Sequence, residues 1–197
     1  GCIPTKALLK SAQVFEYLKH SADYGINSDG GTADFAAIVK RSRGVAGNMS
    51  KGIEFLMKKN KITVIKGAAK LAGNKKVEVE AEGKKDVHEA DHIIVATGAR
   101  SRELPGVKQD GKKVVGYREA MVMPEQPKSV VIIGSGAIGM EFAYFYNTLG
   151  TKVTVIEFMP RVLPVEDEEV SKMMEKIYKK NGVEIMTESA VENVDTS

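Results

Sequence analysis

Two stretches of this chain carry residue types whose spacing could do chemistry. The first is Gly134, Gly136 and Gly139 at G-x-G-x-x-G spacing, with Glu157 eighteen residues beyond Gly139. At such a turn the first glycine permits a tight reversal, the second lets the backbone approach a pyrophosphate, and the third lets helix and strand pack closely. A helix starting there offers free N–H groups and a positive dipole end to phosphates. A carboxylate at Glu157 is placed to accept from both hydroxyls of an adenosine ribose, and it would repel a 2′-phosphate. That chemistry is a dinucleotide site for NAD rather than NADP. The second stretch is Cys2 with Lys6 one helical turn on: a thiol at the positive end of a helix dipole, with a cation nearby. Taken alone, a single cysteine is more often a small, inert hydrophobe.

These residues need elements to position them. Val130, Val131, Ile132 and Ile133 form a short β-branched run suited to a strand buried on both faces of a parallel sheet. After the glycines, Ile138, Phe142, Phe145 and Leu149 share one helical face, closed by Gly150. Val153, Thr154, Val155 and Ile156 then form a second strand that delivers Glu157. A turn at residues 160–164, a helix over 166–181 with Val170, Met173, Met174, Ile177 and Tyr178 on its core side, and a third strand over 183–186 complete the run.

Upstream, residues 4–20 read as a helix with Leu8, Ala12 and Phe15 on one face, and Pro4 suits its first turn. A long helix is expected over residues 34–59. Gly44, Gly47 and Gly52 each cost it about 1 kcal/mol relative to Ala, and Lys40, Arg41, Arg43, Lys51, Lys58 and Lys59 form a solvated face. From Ile62 to Val95 the period changes to two, giving strands at 62–65, 77–79 and 87–95 in an antiparallel meander. Its last run, Ile93-Ile94-Val95-Ala96-Thr97-Gly98, reads as a buried strand entering a glycine turn. Residues 100–113, with Pro105, Gly106, Gly111 and many charges, mark a domain boundary.

With 29 basic and 26 acidic residues interspersed, for a formal charge of +3, nothing calls for nucleic acid or an anionic membrane. No run approaches the ~18 apolar residues of a membrane span. His20, His88 and His92 are isolated, so no metal site is expected. One cysteine cannot form an internal disulfide, which points to a reducing compartment. The chain starts without Met and stops shortly after a strand-like run, and it reads as a central piece of a longer protein, inactive by itself.

GCIPTK at residues 1–6 before a helix, IIVATGA at 93–99 after a meander, GSGAIGME at 134–141 and VTVIEFMPRVLP at 153–164 together resemble the flavin-dependent pyridine nucleotide–disulfide oxidoreductases, and within them the dihydrolipoamide-oxidising members. The resemblance covers essentially the whole chain. It implies an α/β fold: a Rossmann-like parallel sheet for the NAD half-domain (residues 107–197) plus a partial FAD domain with an antiparallel β-meander (residues 1–106). It implies FAD and NAD as cofactors, and oxidation of dihydrolipoyl groups to reduce NAD. Lipoyl domains of 2-oxo acid dehydrogenase complexes would be the partners, with homodimerisation of the full-length parent and a bacterial cytoplasmic or mitochondrial matrix location, the cytoplasm being preferred. Cys2 matches the flavin-facing member of a C-x-x-x-x-C redox pair, and Lys6 and Glu141 match a lysine near the flavin and the acid that pairs with it. Lys6, Ala69, Thr97, Gly98 and Ala99 match FAD contacts. Gly134, Ser135, Gly136, Ala137, Ile138, Gly139, Met140, Glu141, Glu157 and Val191 match NAD contacts. Ala137 stands where NADP-using glutathione reductases carry a tyrosine, and Glu157 where they carry arginine, so both departures favour NAD and lipoamide. Other readings are another flavin disulfide reductase, a transhydrogenase, or a non-catalytic dinucleotide-binding module.

Overall fold

The computed structural model describes residues 1–196; Ser197, the last residue of the expected NAD half-domain, lies outside the described residues. The chain forms two compact units, Gly1–Gly47 with Ser101–Ser197, and Asn48–Arg100. The division falls within a helix.

The larger unit opens with α1 (Cys2–Lys19) and, after a 3-10 turn, the start of α2 (Phe35–Lys59). Asp34 accepts from the backbone N–H of Ala37, so its side chain serves a donor of the first turn of α2. A short α3 (Tyr117–Ala120) leads to the sheet, in which β4 (Ser129–Ile133), β5 (Lys152–Ile156) and β6 (Glu184–Met186) pair in parallel, in that order. The crossovers are α4 (Ala137–Thr148) and α5 (Glu168–Lys180). Asp167 caps α5 by accepting from the N–H groups of Glu169 and Val170.

The core follows the apolar stripe of α4. Met140, Phe142, Phe145 and Tyr146 are buried with Val153 and Val155 from β5, while Leu8 and Ala12 of α1 and Phe35 of α2 join the same cluster. The rings of Phe35, Phe145 and Tyr146 lie with centroids 5.1 to 6.3 Å apart, within the range of favourable aromatic pairs. The Tyr146 hydroxyl donates to the Ala120 carbonyl at 2.6 Å, and the Tyr178 hydroxyl to the Met140 carbonyl at 2.9 Å. Burial pushes both phenols up to about 12. One expectation fails here. Alternate residues of β4 turn away from α4, and Val131 remains 58% exposed, so the strand is covered on one face rather than two. Met173 is likewise 59% exposed; of the methionine pair only Met174 packs on the core.

The smaller unit holds the rest of α2 and a three-stranded antiparallel sheet, β1 (Ala68–Leu71), β2 (Lys76–Ala81) and β3 (Lys84–Glu89), in sequential order. The meander is present but shifted. Residues 62–65 are not a strand, and β3 stops at Glu89, so the apolar run at residues 93–97 is not one either. Ile94 is 89% exposed. Period-two patterning shows a segment fit for pairing; a strand exists only where a neighbour supplies the ladder.

Candidate dinucleotide site and thiol helix

The glycine turn continues directly from the end of β4. The N–H of Gly134 donates to the Ile156 carbonyl at 2.8 Å, extending the β4–β5 pairing into the turn. Gly134 then takes φ +100°, a region closed to most side chains. A Cβ at Gly139 would lie 2.1 Å from the Gly134 carbonyl oxygen and 3.3 Å from Ile132 Cγ2, so only glycine lets α4 start this close to the strand. Gly136 is the N-cap of α4 with no side-chain cap, and a Cβ there meets nothing within 4 Å. The space above Gly136 is therefore open, and the first-turn N–H groups of α4 receive no side-chain cap. A pyrophosphate fits these features. Ala137 and Ile138 are exposed beside the turn and Met140 is buried beneath it. Val191 is half-buried in irregular chain after β6.

Glu157 follows β5 directly and is 7% exposed. Its Oε2 accepts from both the backbone N–H and the hydroxyl of Ser135, each at 2.7 Å, and its Oε1 accepts from the Met159 N–H at 2.8 Å. Desolvation opposes its charge, but the Met159 N–H, the Ser135 hydroxyl and the Ser135 N–H outweigh it and hold the carboxyl below its ordinary value. The spacing predicts that the second strand ends at Glu157, and it does; the Ser135 clamp on that acid is not legible from spacing. The only available signal was a hydroxyl residue between the first two glycines. Ser135, fully buried, also accepts the Leu163 N–H at its carbonyl (3.1 Å), and the Ser171 hydroxyl donates to the Leu163 carbonyl at 3.1 Å. Leu163 is held at φ +47°, so the loop after Glu157 is tied to the glycine turn at a locally costly residue. Arg161 lies in that loop, reaching the Pro164 carbonyl and Glu168.

In the same unit, Cys2 is the first residue of α1 and is exposed. Thr5 secures the helix start, its hydroxyl donating to the Gly1 carbonyl at 2.9 Å. One turn along, Lys6 Nζ forms a hydrogen-bonded ion pair with Glu141 of α4. The thiol helix is thus joined to the helix that begins at the glycine turn. The remaining candidates lie in the smaller unit. Ala69 pairs with Val79 across β1 and β2, and Thr97, Gly98 and Ala99 are exposed. Gly98 takes φ +79° with open space where a side chain would project, so its backbone is free to meet a bound cofactor. No cluster of His, Cys, Asp or Glu among the described residues could hold a metal, and no described helix is long and apolar enough to cross a membrane.

The chain is similar over its whole length to known proteins. The chain is 46% identical to a dihydrolipoyl dehydrogenase of Zymomonas mobilis over 98% of its own length and 42% of that protein's. It is 38% identical to a mitochondrial dihydrolipoyl dehydrogenase of Pisum sativum, covering 40% of it. The chain thus spans about two fifths of the length of these relatives. Among solved structures, LpdA from Mycobacterium tuberculosis matches with a TM-score of 0.89 and 26% identity, over 100% of this chain and 44% of that one. The HOCl-induced flavoprotein disulfide reductase RclA from Escherichia coli matches at 0.78 and 28%, over 98% of this chain and 40% of that one. The family model of the pyridine nucleotide-disulphide oxidoreductases matches residues 1–197. The chain belongs to that family.

Proposed function

We propose that this chain supplies the thiol helix and the NAD site of a dihydrolipoyl dehydrogenase. In this reading residues 1–106 are the later part of an FAD domain and residues 107–197 the first half of an NAD domain. The observation that carries it is the Lys6–Glu141 pair, which couples the helix bearing Cys2 to the helix bearing the glycine turn. The net reaction removes two electrons and two protons from a dihydrolipoyl dithiol; NAD⁺ takes a hydride and one proton leaves to solvent. Bound FAD would relay the electron pair between thiol and nicotinamide. Cys2, exposed at the positive end of α1, is the thiol that faces it. Lys6 presents a cation one turn away, and Glu141 fixes where that cation sits. Ala69 and residues 97–99 would hold FAD, the last through exposed backbone at the Gly98 turn. Gly134 to Glu141 receive the NAD pyrophosphate, with Glu157 at the adenosine ribose and Val191 as a further NAD contact. Ala137, small and exposed at the start of α4, leaves the approach to the turn open. Lipoyl domains of 2-oxo acid dehydrogenase complexes are the partners in this reading, the parent is a homodimer, and the compartment is a bacterial cytoplasm or mitochondrial matrix.

Steady-state kinetics of the complete flavoprotein provide the test. NAD⁺-dependent oxidation of dihydrolipoamide is expected, and Cys2→Ser should reduce it by at least ~10³-fold while flavin absorbance persists. Reduction of glutathione disulfide by NADPH, without dihydrolipoamide oxidation, would overturn the reading. A second reading, a flavoprotein disulfide reductase of other specificity, draws on the similarity to RclA and is separated by the same substrate panel.

A further inference from the structure

The short α3 bears on the first turn of the thiol helix at two points. A Cβ built on Gly1 would lie 3.2 Å from Cε2 and 3.3 Å from Cδ2 of Tyr117, tighter than most side-chain carbons pack. The edge of the phenol ring therefore fills the space beside the residue that precedes Cys2. Further along α1, the Thr5 hydroxyl that donates to the Gly1 carbonyl lies 3.2 Å from Sδ of Met121, the residue that closes α3. Thr5 and Met121 are both buried.

Tyr117 is itself held in place. The Gly116 N–H donates to Glu119 at 3.1 Å, and the Tyr146 hydroxyl donates to the Ala120 carbonyl at 2.6 Å, so α3 is fixed at both ends. The ring packs against the main core on one side. The Arg118 guanidinium lies 5.7 Å from its centroid, and Arg118 Nε donates to the phenol oxygen at 3.1 Å. Cys2 is exposed, so where its sulfur sits depends on the backbone that carries it.

We infer that Tyr117 is a positioning residue for the thiol: its ring packs on Gly1 and fixes the backbone from which Cys2 projects. The inference rests on the reading of Cys2 as the flavin-facing thiol and adds a residue to that machinery. The ring acts here and not the hydroxyl, because ring carbons meet Gly1 while the oxygen is engaged with Arg118. A displacement of about 1 Å in a reacting group can cost about a hundredfold in rate, so a brace of this kind bears directly on turnover.

Alkylation of the reduced, complete flavoprotein by iodoacetamide, read at Cys2 by peptide mass spectrometry, tests this alongside steady-state kinetics. In Tyr117→Ala the Cys2 rate should rise at least about threefold as the segment loosens. Its kcat for dihydrolipoamide oxidation should fall about tenfold or more, with KM for NAD⁺ little changed. Tyr117→Phe keeps the ring and should match the natural protein in both measurements. Val183→Ala, at a buried position before β6, should lower the melting temperature and leave the Cys2 rate as it is. Melting temperature and flavin absorbance report whether each variant is folded. Tyr117→Leu keeps apolar volume without the ring edge, and it should raise the rate in the same direction if Tyr117→Ala does not fold. An unchanged Cys2 rate in the Ala and Leu variants would overturn the inference. So would an equal rise in Val183→Ala, which would make the effect one of stability, or a Tyr117→Phe that behaves like Tyr117→Ala. The alkylation rates stand whether or not the protein oxidises dihydrolipoamide; absence of that turnover from the natural protein would overturn the functional reading instead.

Discussion

Glu157 shows how much a single side chain can carry at once. It closes β5, anchors the glycine turn through Ser135, and starts the following loop through Met159. Its folded-state pKa is depressed despite burial, so its contribution to stability is complete above the ordinary glutamate value of about 4.3 and is lost as pH falls through the lower folded-state value. Glu157→Gln should therefore be less stable than the natural protein at pH 7, by on the order of 1–3 kcal/mol. The gap should narrow below about pH 4. Urea denaturation midpoints at pH 7 and pH 3.5 would show it; a gap that is independent of pH would mean the carboxylate charge contributes nothing. The identity of this residue was legible from its distance to the glycines. Its clamp was not, because the Ser135 N–H and hydroxyl reach it only once β4 and β5 are paired.

At the scale of the element, the strand–turn–helix–strand unit is where local sequence and structure agree best. Its glycines nevertheless do different work, and two substitutions separate them. Gly136 has an ordinary φ of −63° and open space where a side chain would project, so Gly136→Ala should keep its melting temperature within a few degrees while weakening dinucleotide binding at least about tenfold. Gly139→Ala places a methyl 2.1 Å from the Gly134 carbonyl and should destabilise the fold by about 1–3 kcal/mol or more, losing binding as a consequence. Melting curves paired with NAD⁺ titration distinguish the two; equal destabilisation would remove the argument for a cradle at Gly136. The meander behaves differently. Residues 62–65 and 93–97 have strand composition and no ladder, because alternation records a preference for burial and not the presence of a partner. β1 has none of that patterning: Ala68, Ala69, Lys70 and Leu71 form a strand because they pair with Val77 to Glu80 of β2.

At the scale of the whole molecule, the Cys2 helix and the glycine-turn helix share a core. Leu8 is 1% exposed in the cluster that contains Phe142, Phe145 and Tyr146, and Lys6 and Glu141 pair at the edge of the same packing. Leu8→Ala should cost about 2–5 kcal/mol, because the surrounding aromatic side chains can only partly close the cavity. Tyr146→Phe should cost about 1–3 kcal/mol by leaving the Ala120 carbonyl without its donor. Thermal melts of the two variants check both values. Leu8→Ala should also lower dinucleotide-dependent turnover of the complete protein, whereas an exposed control, Lys10→Ala, should change neither quantity.

The sequence by itself determined the parts that depend on neighbours in the chain. The glycine turn, the helix after it, the acid at the end of β5 and the thiol at a helix start each follow from spacing within a few turns or one strand, where backbone geometry leaves little choice. Tertiary structure alone decided everything that depends on which segments meet. It left one face of β4 open, left Ile94 without a ladder, brought Lys6 to Glu141 across 135 positions of sequence, and clamped Glu157 on Ser135. Ladders, ion pairs and clamped carboxylates all need a partner from elsewhere in the chain, and no local pattern of residue types says whether that partner will arrive.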